Sequence, residues 1–247
     1  MPYIKFPTSD IERMALLRRI HKTIINQLAA GDGIIEQNMA DELAAFLADY
    51  ESKIHAAKTT LANRASTIKE RHQATAKLET FCRDFIVVLK RRIQRNHEPE
   101  ELWHIYGIQL DSTLPKLEPP DKLLEWSNHI IERDAQSVQA GYPAMVNPSA
   151  QEVQAALEDA RPKISNAIQA DLAHTQAQEA LRATRDQANT FIHRISMLLD
   201  YRLYGQERSN VRRVKRNYGI IYSNRASKAH DPDGGLPSDS DELALGG

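Results

Sequence analysis

Residues 34–98 contain neither glycine nor proline. A run of that length without a breaker has no inexpensive place to turn, so it predicts helix over most of its extent. The chain uses this run twice. Displaced against itself by 110 positions, the sequence sets Gly31 on Gly141, Glu42 on Glu152, Leu47 on Leu157 and Asp49 on Asp159. The same displacement sets Lys53 on Lys163, Ile54 on Ile164, Ala57 on Ala167, Phe81 on Phe191, Leu89 on Leu199 and Arg92 on Arg202, with no gap between Glu42 and Arg92. After a two-residue insertion, Tyr106-Gly107-Ile108 falls on Tyr218-Gly219-Ile220. Self-similarity at a fixed period marks a repeated structural unit. The expected fold is therefore all-α, a tandem duplication of a helical unit of about 110 residues. Each unit is a short helix followed by a long helix or helical hairpin, in an elongated bundle or a coiled-coil-like arrangement. The boundaries read as repeat 1 over 1–118, repeat 2 over 119–228, and a disordered acidic tail over 229–247.

Local signals agree. Ser9 or Asp10 can cap a first helix ending near Ala30, since Ile11, Met14, Leu17, Ile20, Ile24 and Leu28 recur at spacings of three and four. Gly31 and Gly33 follow as its stop. In the second copy, Leu123, Leu124, Trp126, Ile130 and Ile131 form the stripe behind Pro119-Pro120, and Gly141 with Pro143 ends it. Residues 1–7 read as a loose lead-in. Pro99-Glu-Glu starts a short helix ending at Gly107, and residues 111–120, with three prolines, link the copies.

Within the long runs, the a/d series of the first copy is Leu47, Tyr50, Ile54, Ala57, Leu61, Arg64, Ile68, Arg71, Thr75, Leu78, Cys82, Phe85, Leu89 and Arg92. The second copy is likewise apolar at both ends and polar in the middle, through Asp171, His174 and Gln178. Two arrangements fit. A continuous rod keeps the heptad phase and predicts a maximum dimension near ~80 Å or more in small-angle scattering. A hairpin turning at residues 63–67, where Thr67-x-x-Glu70 resembles a capping box, predicts a compact profile. The rod is preferred, because neither copy has a glycine or proline at the turn. Pro162 predicts a kink or a local helix start.

The helix, the Ala-rich run, the helix end Lys90-Arg91-Arg92-Ile93-Gln94 and the terminal Gly-Ile together resemble a family of bacterial proteins built from a tandem all-helical repeat. The resemblance covers about residues 10–222. It implies the fold and a bacterial source, and no catalytic residues, because that family carries no established activity.

Several chemistries find little support. One cysteine, Cys82, rules out an internal disulfide framework and a Cys-rich metal site, and its a position makes it a small buried hydrophobe. Residues 1–10 lack an apolar signal core, and the longest apolar run, residues 85–89, is too short to cross a bilayer; the simplest compartment is the cytosol, with no membrane partner. Glu101-Leu-Trp-His104 and Asp171-x-x-His174 have the spacing of a di-iron ligand pair but lack matching partners, so they read as surface or helix-end residues. No nucleophile elbow, phosphate loop or dinucleotide fingerprint is present. The expectation is a protein without enzymatic activity, cofactor or metal.

One electrostatic asymmetry stands out under a formal net charge of −1. Residues 201–228 hold Arg202, Arg208, Arg212, Arg213, Lys215, Arg216, Arg225 and Lys228 against a single acid, Glu207. Asp231, Asp233, Asp239, Asp241 and Glu242 follow without a base. Tyr201, Tyr204, Tyr218 and Tyr222 are interleaved with the cations. Cations for phosphates and aromatic faces for bases suit nucleic acid. Equally, the tyrosines can close the helical bundle while the arginines form a solvated face or pair with the acidic tail. The candidate contact residues are Arg202, Arg208, Arg212, Arg213, Lys215, Arg216, Tyr218 and Tyr222. The leading expectation is a non-enzymatic structural or protein-interaction protein, self-association included; the alternative is a nucleic-acid-associated protein using residues 201–228. The terminal Leu245-Gly246-Gly247 matches the end of ubiquitin-like modifiers, a chance likeness without a ubiquitin-type sheet.

Overall fold

A computed structural model of the chain describes residues 2–96, 99, 101–108 and 115–224. Arg225, Lys228, the acidic tail and Leu245-Gly246-Gly247 lie outside the described residues. Apart from two short strands the elements are helices: β1 (Pro2–Lys5), α1 (Asp10–Ala29), α2 (Gln37–Asn96), α3 (Glu101–Tyr106), α4 (Pro120–Gln139), α5 (Ala150–Arg202), α6 (Arg208–Asn217) and β2 (Ile221–Asn224). The all-α expectation holds with one correction. Residues 2–5 are a strand, paired antiparallel with β2 from Pro2↔Asn224 to Lys5↔Ile221.

The helix ends follow from their residues. Ser9 Oγ accepts the Glu12 backbone N–H while the Glu12 carboxylate accepts the Ser9 N–H, a capping box that starts α1. The Thr8 backbone N–H, then that of Ser9, and the Thr8 hydroxyl all donate to the Glu12 carboxylate and hold its pKa at about 2. Ser149 and Glu152 exchange the same pair of bonds at the start of α5. Gly31 and Gly141 stop α1 and α4 with φ of +78° and +89°, a conformation that a side chain would strain.

Both long runs are single helices. α2 continues through residues 63–67, where Thr67 Oγ1 donates to the Arg64 carbonyl inside the helix instead of capping a new one. α5 continues through Pro162, which opens no new helix. The polar middles therefore reflect exposure and side-chain pairing rather than a turn. Arg64 and Asp171 form an ion pair, Thr60 Oγ1 lies 3.3 Å from His174 Nδ1, and Leu61 is 50% exposed.

The chain divides into two compact units, one formed by residues up to 47 with those from 187 onward, the other by residues 48–186. These units do not follow the division expected at residue 118, since each contains residues from both sides of it. The core of the 48–186 unit joins Leu78, Phe85, Ile86 and Leu89 of α2 to Trp103 and Tyr106 of α3, Leu123 and Ile130 of α4, and Leu157 of α5. Tyr106 Oη donates to the buried Asp134 carboxylate at 2.7 Å, and its oxygen lies 3.3 Å from Ser137 Oγ. In the other unit, Leu17, Ile20 and Ile24 of α1, Leu43 and Phe46 of α2, and Ile192, Ile195 and Leu199 of α5 are buried, with the Phe46 and Phe191 rings 4.7 Å apart.

Hydrogen bonds recur at equivalent positions. Asp32 N–H donates to Gln27 O as Tyr142 N–H does to Ser137 O, and Ile108 N–H donates to Trp103 O as Ile220 N–H does to Lys215 O.

Cys82 is fully buried, with Sγ 3.2 Å from Ser127 Oγ, and burial pushes its thiol pKa up. A thiol reagent should therefore modify it only on unfolding. Cys82→Asp should destabilise the protein by several kcal/mol, about the cost of stranding a carboxylate in apolar packing. Rapid native labelling would contradict this placement.

Candidate interaction surface around the last helix

α5 ends at Arg202, and the chain reverses through Leu203–Gln206 into α6. Gly205, at φ +84°, makes this turn possible. The α6 sequence, Arg-Ser-Asn-Val-Arg-Arg-Val-Lys-Arg-Asn, offers one inward stripe through Val211, Val214 and Lys215, leading to Tyr218 beyond the helix. Arg208, Arg212 and Arg216 lie four residues apart on a neighbouring stripe.

The eight candidate residues separate on this geometry. Lys215 is only 2% exposed: its stem is buried, and Nζ donates to Ser196 Oγ at 2.9 Å and pairs with Asp200 at 2.6 Å. It cannot reach a phosphate, and its assignment as a contact residue is corrected to a closing residue of the fold. Tyr218 is also buried and donates to Gln27 Oε1 of α1. Arg202 pairs with Glu36 and Arg213 donates to Asn210 Oδ1, both at the surface. Arg208, Arg212 and Tyr222 line one cleft of about 360 Å³, with Tyr204 and Asp200. Arg216, one turn further on, acts with Arg212 on the Tyr222 ring, lowering a phenol pKa that burial and Asp200 raise.

Tyr201 and Tyr204 are 76% and 91% exposed. They do not close the bundle; Tyr218 does. The sequence signal for the distinction lies in phase: Tyr218 continues the α6 stripe of Val211 and Val214, whereas Tyr201 and Tyr204 flank the buried Leu199 and Leu203. Asp200 was missed as a partner of Lys215, a pairing visible only once α5 and α6 are packed.

Burial holds the Tyr218 phenol up to about 12. A folded pKa raised above the unfolded value of about 10 gives stability that is complete below pH ~10 and lost as pH rises toward ~12. Alkaline unfolding should therefore steepen over that interval, and Tyr218→Phe should flatten it; an unchanged profile would contradict the burial.

As chemistry, the surface offers cations, phenol faces and one neutralised carboxylate. Among the described residues no group of three or more His, Cys, Asp or Glu side chains could hold a metal ion, and Glu101 and His104 are both exposed. No helix among the described residues is long and apolar enough to cross a membrane. Comparison of the chain with protein-family models, with curated proteins and with solved structures found no match.

Proposed function

We propose that this chain is a cytosolic, non-enzymatic helical protein that works by binding another protein, a second copy of itself included, through the surface around Tyr204 and the Arg208–Arg212 cleft. The observation that carries the reading is the exposure of Tyr201 and Tyr204 beside a cationic cleft. Large aromatic rings left in water next to arginine have the composition of interface hot spots. The scaffold is proposed to be a tandem duplication with coiled-coil-like long helices, as in the bacterial repeat proteins it resembles. The hydrogen bonds repeated at equivalent positions support that origin.

A photo-crosslinking residue placed at position 204 tests the reading in the source cell. Val146, 84% exposed in the other unit, is the control position. A protein adduct specific to position 204, at the mass of a second copy or of another chain, supports it; equal adducts from both positions, or none, reject it.

A second reading, nucleic-acid binding, is favoured by the Arg208, Arg212 and Arg216 stripe next to Tyr222. Displacement of condensed counterions would make the affinity fall steeply with salt. Neutralising Arg212, Arg213 and Arg216 with Gln, leaving the buried Lys215 in place, would weaken it, and truncation after Lys228 would strengthen it. Titration with single- and double-stranded oligonucleotides at low salt decides, and no binding there rejects this second reading.

A further inference from the structure

We propose that the partner of this surface presents an extended acidic peptide, laid beside β2 with alternate carboxylates on Arg208, Arg212 and Arg216. The proposal rests on the interaction reading and names the chemistry of the partner. Three observations carry it. First, the three arginines recur every four residues along α6, a rise of about 6 Å per step. Alternate residues of an extended strand are about 6.7 Å apart on one face, so an acid at every second position follows the stripe with less than ~1 Å of drift per step. Second, none of the three is in an ion pair among the described residues, whereas Asp200, the one acid in the cleft, is neutralised by Lys215. The cleft is therefore cationic in net effect. Third, β2 has one strand neighbour, β1, so among the described residues its other edge has no strand partner. A peptide backbone can pair with such an edge; a sugar-phosphate backbone cannot. Tyr222 ties the features together, as it belongs to β2, lines the cleft and lies within electrostatic reach of Arg212 and Arg216.

The probe is a fluorescein-labelled peptide of alternating Asp and Thr, titrated by anisotropy into the full chain at low salt. A second full-length chain, with Asp231, Asp233, Asp239 and Asp241 changed to Asn and Glu242 to Gln, removes competition from the chain's own carboxylates. Saturable binding is expected, weakened by roughly tenfold or more in R208Q/R212Q/R216Q, whose melting temperature should match wild type. A peptide of the same charge but N-methylated at alternate backbone positions should also bind roughly tenfold more weakly, since it cannot pair with a strand edge. The proposal is overturned by no saturable binding to either chain, by binding unaffected by the arginine changes, by equal affinity of the N-methylated peptide, or by tighter binding of a single-stranded oligonucleotide of equal charge. A position-specific adduct at residue 204 without peptide binding would refute this proposal alone and leave the interaction reading standing.

Discussion

Lys215→Glu is expected to destabilise the protein by about 3–5 kcal/mol, the cost of leaving an uncompensated charge in a buried site. The reason is local. Lys215 is buried while its ion-pair partner Asp200 is well exposed, so the lysine ammonium depends on Asp200 and Ser196 for its solvation. Reversing its charge sets a second carboxylate against Asp200 and removes the donor to the buried Ser196. Lys215→Met keeps most of the stem packing and leaves one hydroxyl without its donor, a loss of only ~1–2 kcal/mol. Urea unfolding of the two variants measures the contrast. Equal midpoints for Lys215→Glu and wild type would mean that Lys215 faces solvent.

Phe85→Ala should cost about 3–5 kcal/mol, the range for emptying an aromatic site in a packed core. Phe85 is fully buried, with its ring 6.0 Å from that of Tyr106. Leu61, in the same heptad series, sits in the polar middle of α2 half in water, and Leu61→Ala should cost less than ~1 kcal/mol. A large loss at Leu61 with a small one at Phe85 would invert the burial pattern along α2. Thermal or urea melts of the two variants check both values.

These two positions also show what could be read from the chain. The a/d series marked Leu78, Cys82, Phe85 and Leu89 as core and set apart the middle around Leu61 and Arg64, because burial on a helix repeats with its own period. Helix starts at Ser9 and stops at Gly31, Gly107 and Gly141 were legible for a similar reason: caps act through neighbouring residues. The β1–β2 pairing was not legible. It joins residues more than 200 positions apart, and four-residue strands leave too short an alternation to detect. The composition of the two compact units, each drawn from both sides of residue 118, was hidden as well, since self-similarity in a sequence says which segments are alike and not which ones pack together. At the candidate site, the basic block was visible as charge. Its division was not, because Lys215 and Arg216 differ only in which side of α6 they occupy, and that depends on where Ser196 and Asp200 lie.

Covalent footprinting of the native protein tests this division most directly. Tyrosine iodination and lysine acetylation, read by mass spectrometry at short times, should modify Tyr201 and Tyr204 first, leaving Lys215 and Tyr218 unmodified until the protein unfolds. Arginine-directed glyoxal should reach Arg208 and Arg216 in the folded state. Modification of Lys215 and Tyr218 at the rate of Tyr204 would contradict the account, for then α6 would have no inner face and the cleft would have no fixed wall.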